Sequence, residues 1–214
     1  MAFYNYIAVE GPIGAGKSIV AGALAKKLGA RLIESPVDEN LFIVDFYRDP
    51  RHYAFSSQIF FLLSRYRLLS SLLKMDLFHQ SAVSDFVFER DELYAKMLLT
   101  EAEFRLYRQV EKNLRRDIPD AQLVVFLQSP VENLVRNIST RGRDFERKYI
   151  SEEFLSALTK EYTEFFFRWE KTPLLVVDVG TVDISDAQKL DELVSYILSN
   201  PIKGVQYYSS ASWI

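Results

Sequence analysis

The stretch Gly11-Pro12-Ile13-Gly14-Ala15-Gly16-Lys17-Ser18 decides how this sequence is interpreted. It has the Walker A spacing, in which a glycine, four further residues and Gly-Lys-Ser follow one another. An apolar run at residues 6–9 precedes it, and an amphipathic, helix-like segment at residues 19–28 follows it. A glycine-rich loop between a strand and a helix directs backbone N–H groups at an anion, and the helix dipole adds to the attraction. The stretch therefore predicts a loop that binds the phosphates of a nucleoside triphosphate.

Two side chains at the end of this loop carry the chemistry of phosphate binding. Lys17 supplies positive charge for the outer phosphates, and the hydroxyl of Ser18 is a ligand for Mg²⁺. A glycine-rich turn that binds nothing is the alternative, and the complete motif between a strand and a helix argues against it.

The composition describes a globular chain and excludes several classes of function. The 214 residues are 49% hydrophobic, carry a formal net charge of −3 and contain no cysteine. The absence of cysteine excludes disulfides, thiolate metal sites and a cysteine nucleophile. The acidic balance argues against a nucleic-acid partner, and no apolar run reaches the length of a membrane span. We expect a cytoplasmic protein that binds neither nucleic acid nor membrane.

Strand-like and helical segments alternate along the chain, which predicts an α/β fold with a parallel sheet. Runs of branched and aromatic residues predict five strands, at residues 6–10, 30–33, 82–85, 123–128 and 174–179. Thr100 with Glu103, and Ser185 with Gln188, have the spacing of a helix capping box. Nothing in the pattern indicates a linker, so we predict one domain over residues 1–214. The aromatic tail at about 201–214 is expected to be irregular and to pack on the body of the protein or on a second subunit.

Acidic residues follow the second and third predicted strands. In open α/β sheets the ligand crevice lies outside the carboxyl ends of the strands, so these residues are candidates for the site. Within residues 34–40, a carboxylate of Glu34, Asp38 or Glu39 could take the proton from an attacking hydroxyl, although a solvated acidic loop is the alternative. Asp85 is a candidate for the metal or the substrate hydroxyl, and its alternative role is to cap a helix.

Arginine and amide side chains supply two further groups of candidates. Arg141 and Arg143 lie in a charged segment after a helix that also carries Arg136, and arginines on a flap match the charge of a transferring phosphoryl group. Gln58 and Arg65 are seven residues apart and share a helix face. A glutamine amide can pair two-sidedly with the edge of a base. The alternatives are a solvated arginine cluster and a surface glutamine.

These features together resemble the deoxynucleoside kinase family, whose members are P-loop enzymes that transfer the γ-phosphate of ATP to the 5′-hydroxyl of a deoxynucleoside. The similarity covers about residues 4–182 and is greatest to the bacterial deoxyadenosine/deoxyguanosine kinase branch. Besides the Walker A loop, it rests on Pro36-Val37-Asp38-Glu39-Asn40, Phe46-Tyr47-Arg48-Asp49-Pro50, Gln58 and Arg141-Gly142-Arg143 with Glu146. The resemblance implies a P-loop kinase fold, an arginine-rich lid at about 141–150, Mg²⁺ and ATP as cofactors, a purine deoxynucleoside substrate and a homodimer.

The resemblance also implies roles for single residues. Gln58 would pair with the base, Tyr47 and Glu146 would hold the sugar 3′-hydroxyl, and Asp85 would stand near the 5′-hydroxyl and the metal. Arg141 and Arg143 would surround the phosphates. The expected catalytic residues are Glu34, Lys17, Asp85, Arg141 and Arg143, the metal ligands are Ser18 and Asp85, and Arg65 joins the substrate-binding residues.

The sequence departs from the family pattern at two places. Ser35 stands where the family has its glutamate before the proline, so we assign the role of general base to Glu34, one residue earlier, with Asp38 and Glu39 as alternatives. Phe86 follows Asp85 where the family has arginine, and Arg90 or Arg65 could replace that charge.

Two other functions remain open at this point. A thymidylate kinase-like monophosphate kinase shares the loop, sheet and flap, but its acceptor needs further cations such as Arg48, Arg51 or Arg65. A non-catalytic nucleotide sensor derived from the kinase fold would explain Phe86 and the shifted glutamate. Retention of the lysine, serine and aspartate and of both lid arginines argues against it.

Overall fold

A computed structural model describes residues 3–74, 81–141 and 143–210 of the chain. In this part of the chain six strands form one parallel sheet, in the spatial order β2-β3-β1-β4-β5-β6. The strands are β1 (Tyr6–Glu10), β2 (Arg31–Ile33), β3 (Ala82–Ser84), β4 (Leu123–Gln128), β5 (Leu174–Asp178) and β6 (Val205–Tyr208).

Helices cover both faces of the sheet. They are α1 (Lys17–Leu28), α2 (Ile43–Arg48), α3 (Pro50–Ser70), α4 (Arg90–Leu98), α5 (Glu101–Leu114), α6 (Val131–Arg141), α7 (Asp144–Tyr149), α8 (Glu152–Phe167) and α9 (Ala187–Ser199), with 3₁₀ turns at Ser71–Lys74 and Arg115–Asp117. Alternate residues of β1 enter two separate cores: Tyr6 and Ala8 pack with α3, α4, α5 and α8, whereas Ile7 and Val9 pack with α1, α6 and α9. Burial of both faces explains why β1, β4 and β5 are nearly continuous apolar runs.

The five predicted strands are confirmed, each with bounds within one residue of those expected. The expectation of an irregular tail is wrong for residues 205–208, because these residues form β6 beside β5. The strand alternates exposed and half-buried side chains, with Val205 and Tyr207 exposed. Val205, Tyr207 and Tyr208 favour a strand, but the run is short and alternates weakly, so the pairing with β5 is what makes it recognisable. Residues 211–214 of the tail, and Gly142 of the lid, lie outside the described residues.

Of the two capping boxes predicted from the sequence, the one at the start of α5 is present and the one at the start of α9 is not. The capping box of Thr100 and Glu103 is present at the start of α5. The box predicted for Ser185 and Gln188 is wrong, since Asp186 caps α9 and accepts hydrogen bonds from the N–H groups of Gln188 (2.9 Å) and Lys189 (3.0 Å). An aspartate next to the serine is an equally good cap and lies closer to the first helical residue.

None of the helices in the described ranges is long and apolar enough to cross a membrane.

Candidate active site

The loop between β1 and α1 has the geometry of a phosphate cradle. Gly14 and Gly16 both have φ of +87°, in the left-handed region that favours glycine. A Cβ atom on Gly14 would lie 2.9 Å from the carbonyl oxygen of Leu134. The Nζ atom of Lys17 donates to the carbonyl oxygens of Gly11 (2.8 Å) and Pro12 (2.9 Å), so the lysine folds back over its own loop. Burial and the nearby charge of Arg90 lower the pKa of Lys17 to about 7.

Asp85 joins three parts of the site at the carboxyl end of β3. Its Oδ2 atom accepts a hydrogen bond from the Ser18 hydroxyl (2.8 Å), at the start of α1. Its Oδ1 atom accepts from the backbone N–H of Ser35 (2.7 Å), in the loop after β2. The carboxylate therefore fixes the acidic loop relative to the phosphate cradle.

Ser18 and Asp85 fit a magnesium site in their chemistry. Both offer oxygen ligands, which Mg²⁺ prefers, and their oxygen atoms are within 2.8 Å of each other. Among the described residues there is no cluster of three or more histidine, cysteine or acidic side chains that could hold a metal. Such a site would be completed by phosphate oxygens and water, as is common for Mg²⁺ in phosphoryl-transfer enzymes.

Glu10, the last residue of β1, is a fully buried carboxylate that the sequence analysis did not single out. Its Oε1 atom accepts from the N–H of Gly11 (2.9 Å) and from the Tyr162 hydroxyl (3.1 Å), and its Oε2 atom accepts from the N–H of Val87 (2.9 Å). The Nη1 atom of Arg90 lies 3.7 Å from Oε1. Burial opposes the charge of Arg90, but the carboxylate of Glu10 holds the pKa of the guanidinium above its usual value.

Gln58 and Arg65 lie on the buried face of α3, so the alternative of a surface glutamine is wrong. Gln58 is only 3% exposed. Arg65 forms an ion pair with Asp91 of α4, and its Nη2 atom donates to the Ser35 hydroxyl at 2.7 Å. The guanidinium lies 4.5 Å from the centre of the Phe61 ring. Burial and the nearby Arg90 lower the pKa of Arg65 to about 9, which leaves it charged at neutral pH.

The lid helix α7 closes this end of the site against α2. Glu146 is buried and forms ion pairs with Arg141 and with Arg143, whose Nη1 atom is 3.5 Å away. The ring of Tyr47 stacks on Phe145 with ring centres 5.4 Å apart. Burial, together with the surrounding negative charge, raises the pKa of the Tyr47 hydroxyl. Tyr47 and Glu146, which the resemblance assigns to the same sugar hydroxyl, thus lie on facing elements.

The two departures from the family pattern have structural explanations. The side chain of Phe86 is fully buried in the core, with its ring centre 5.3 Å from the Arg65 guanidinium, so an arginine at this position would bury a second positive charge beside Arg65. Glu34 is exposed and borders the site. Asp38, an alternative base, is paired with Arg143 of the lid (2.8 Å).

All of the predicted site residues except Gly11 and Pro12 line one cavity of about 1080 Å³. The backbone oxygens of those two residues hold Lys17 instead. The cavity also contains residues that sequence reasoning missed or did not place, namely Arg90, Asp91, Tyr94, Asn133, Asn137, Thr140 and the loop at residues 179–185. That loop follows β5, so the rule that ligands bind beyond the carboxyl ends of strands could have identified it.

Comparisons with known proteins agree with this geometry. A family model described as deoxynucleoside kinase matches residues 7–202. A deoxyguanosine kinase from Bacillus subtilis is 30% identical, over 73% of this chain and 76% of the relative. A deoxyadenosine kinase from Dictyostelium discoideum is 33% identical, over 89% of this chain and 78% of the relative.

A solved structure of deoxyadenosine kinase from M. mycoides with bound dATP superposes with a TM-score of 0.77. It is 25% identical to this chain, and the superposition covers 92% of this chain and 100% of that one. These three relatives are named as kinases of deoxynucleosides and not as monophosphate kinases, which argues against the thymidylate kinase-like alternative.

Proposed function

This chain belongs to the deoxynucleoside kinase family, and we propose that it transfers the γ-phosphoryl group of ATP to the 5′-hydroxyl of a purine deoxynucleoside. The observation that carries the proposal is the shared cavity. It joins a phosphate cradle, at Lys17 and Ser18, to the buried amide of Gln58 and to Tyr47 and Glu146, which we propose hold the sugar. A donor triphosphate and an acceptor nucleoside can therefore occupy one cavity.

The base would bind beside α3 and α4. The Gln58 amide offers one donor and one acceptor to the edge of a base. Next to it, the Nε atom of Arg65 and the Oδ2 atom of Asp91 are buried without a hydrogen-bond partner among the described residues. Buried polar atoms are normally paired, so these two favour a ligand that presents both an acceptor and a donor, as adenine and guanine do. The names of the relatives, deoxyguanosine and deoxyadenosine kinases, support a purine.

In the proposed reaction Glu34 acts as the general base. Its carboxylate takes the proton of the 5′-hydroxyl, the freed oxygen forms a bond to the γ-phosphorus, and the bond from that phosphorus to the β–γ bridging oxygen breaks. The products are a deoxynucleoside monophosphate and ADP. The exposed position of Glu34 at the edge of the cavity, one residue before the Ser35 that is fixed on Asp85, supports this role.

The negative charge on the transferring group is balanced by cations from both sides of the cavity. Lys17 would contact the outer phosphates from the loop, and Arg141 and Arg143 would reach them from the lid. Mg²⁺, held by the Ser18 hydroxyl and the Asp85 carboxylate, would neutralise charge on the phosphate oxygens. The lid would also exclude water, which competes with the sugar as acceptor.

The proposal is tested by offering the purified protein Mg²⁺ and ATP with each of the four deoxynucleosides, their ribose counterparts and their monophosphates. We expect deoxyadenosine or deoxyguanosine to be phosphorylated with the highest kcat/KM. Turnover of the monophosphates alone would refute the assignment in favour of the thymidylate kinase-like alternative. Turnover of none of these compounds would leave the sensor function.

The role of Glu34 is tested separately with Glu34→Gln, which keeps the size of the side chain but cannot accept the proton. Loss of a general base lowers turnover by about 100-fold or more, while ATP binding is retained. Glu39→Gln is the matched control, because Glu39 is also exposed and borders the same cavity. A large loss in the Glu39 variant with little change in the Glu34 variant would move the base to Glu39.

We further propose, following the family resemblance, that the protein is a homodimer, and we place it in the cytoplasm. Sedimentation equilibrium of the purified protein at micromolar concentration tests the first proposal, and a monomer mass of 24.8 kDa would refute it. Fractionation of the producing cells tests the second.

A further inference from the structure

The charge of Arg90 is less closely paired than the charges of Arg65, Arg141 and Arg143, which line the same cavity. Arg65 forms an ion pair with Asp91 and donates to the Ser35 hydroxyl, although its Nε atom has no hydrogen-bond partner among the described residues. Arg141 and Arg143 are paired with Glu146 in the lid. Arg90 is 7% exposed, its Nε atom has no hydrogen-bond partner among the described residues, and its acidic neighbour Glu10 is 3.7 Å away. A buried guanidinium with an unused donor is costly unless a ligand completes its bonding.

The position of Arg90 relates it to the reacting atoms rather than to the base. The guanidinium of Arg90 lies beside the carboxylate of Glu10. Glu10 is the last residue of β1 and directly precedes Gly11 of the phosphate cradle. The guanidinium of Arg90 also lies over the ring of Tyr94, with its carbon 5.1 Å from the ring centre. The charge is close enough to Lys17 to help lower the pKa of that lysine, and close enough to Asp85 to be stabilised by it. Arg90 therefore lies where the cradle meets Asp85.

Glu10 fixes this arrangement through the backbone. One of its oxygens accepts from the N–H of Gly11, in the cradle, and the other accepts from the N–H of Val87, between β3 and α4. Because α4 begins at Arg90, the same carboxylate sets the position of the cradle and that of the arginine. The Tyr162 hydroxyl completes the hydrogen bonds of the carboxylate.

We propose that Arg90 is a catalytic residue of the phosphoryl transfer, whose guanidinium donates to the oxygens of the γ-phosphoryl group as it passes to the sugar hydroxyl, and that Glu10 is its positioning residue. The proposal rests on the proposed function and deepens it. The positive charge that contacts the transferring phosphoryl group then comes from Arg90, the first residue of α4. The position directly after Asp85 supplies no cation, because the buried Phe86 occupies it.

The first test compares Arg90→Met with Lys96→Met. Lys96 lies on the same helix, but its side chain is 65% exposed, so the control removes the same charge outside the cavity. A donor to the charge that develops in the transition state contributes about 100-fold or more to kcat. We expect that loss in Arg90→Met, with the KM values for ATP and nucleoside within about threefold of wild type. We expect no loss in Lys96→Met. Turnover of Arg90→Met within about threefold of wild type would overturn the proposal.

A second test separates catalysis from folding, because Arg90→Met leaves the buried charge of Glu10 without its partner. The double variant Glu10→Gln, Arg90→Met removes both charges, and the glutamine oxygen keeps an acceptor for one of the two backbone N–H groups. It should unfold at a higher temperature than Arg90→Met alone and still show the loss of kcat.

Millimolar guanidinium ion should restore part of the turnover of Arg90→Ala, which leaves space for it, and none of the turnover of Lys17→Ala. Absence of rescue in a folded Arg90→Ala variant would mean that Arg90 only supports the structure, and would overturn the proposal. Absence of deoxynucleoside phosphorylation by the wild-type protein would instead refute the proposed function.

Discussion

Breaking the Arg65–Asp91 ion pair should destabilise this protein far more than breaking an exposed pair. The two side chains are only 3% and 1% exposed, and both line the cavity, Arg65 from α3 and Asp91 from α4. Removing one partner of a buried pair leaves an uncompensated charge and costs about 3–5 kcal/mol. In a chain of this length that corresponds to a fall of about 6–20 °C in melting temperature.

The design is a double-mutant cycle with Arg65→Met, Asp91→Leu and the two changes together. Each single variant should show the full cost, whereas the double variant removes both charges and should recover most of the stability. Free energies of unfolding come from urea titrations of the ligand-free protein, followed by tryptophan fluorescence and circular dichroism.

Lys27→Met and Asp191→Leu provide the control. That pair joins α1 to α9, with side chains 40% and 66% exposed, and solvent screens it. We expect no comparable loss from either change. Single variants at Arg65 and Asp91 that cost less than about 1 kcal/mol, or a double variant as unstable as the sum of the singles, would refute the reasoning.

Four further outcomes are expected. Gly16→Ala should raise the KM for ATP by about tenfold, because the φ of +87° at position 16 strains an alanine by about 1–2 kcal/mol. Gly22→Ala is the control and should not change the KM, because Gly22 lies inside α1 with open space around it. Tyr47→Phe keeps the ring but loses the hydroxyl, so the KM for a deoxynucleoside should rise by about tenfold and the KM for a 2′,3′-dideoxynucleoside should not change. Phe86→Arg should lower the melting temperature without raising turnover, since a charge placed at this fully buried position is unpaired. The kcat/KM for ATP should fall as the pH rises above about 7, because the free enzyme then loses the proton of Lys17, and a flat profile from about pH 6 to 8.5 would contradict this.

The parts of the fold that the sequence predicted are those encoded locally. The Walker A loop has a fixed spacing, the strands β1, β4 and β5 are mostly apolar runs, and the bounds of all five predicted strands agree with the structure within one residue. The strand β6 was missed because its stability comes from pairing with β5, and its own residues alternate too weakly to indicate it.

In the candidate site, too, some residues could be predicted from the sequence and others depend on contacts between distant elements. The predicted residues Gln58, Tyr47 and Glu146 line one cavity, as the resemblance implied, although their roles stay predictions. Glu10 was not singled out from the sequence, and Arg90 was named there only beside Arg65 as a replacement for the missing arginine. Their arrangement depends on contacts between β1, α4 and α8, which are far apart in sequence. The substitution of Phe86 was visible in the sequence, but only its burial explains it.

The hydrogen bond from Asn137 to the cradle fixes the position of α6, and so of the lid that follows it, relative to the phosphate loop. The Nδ2 atom of Asn137 donates to the carbonyl oxygen of Gly14 (2.9 Å), and Arg141 lies one helical turn further along on the same side. A single residue inserted between them would turn Arg141 by about 100° away from the cavity while leaving the asparagine anchored. The length of that one turn therefore sets the position of Arg141 relative to the phosphate cradle.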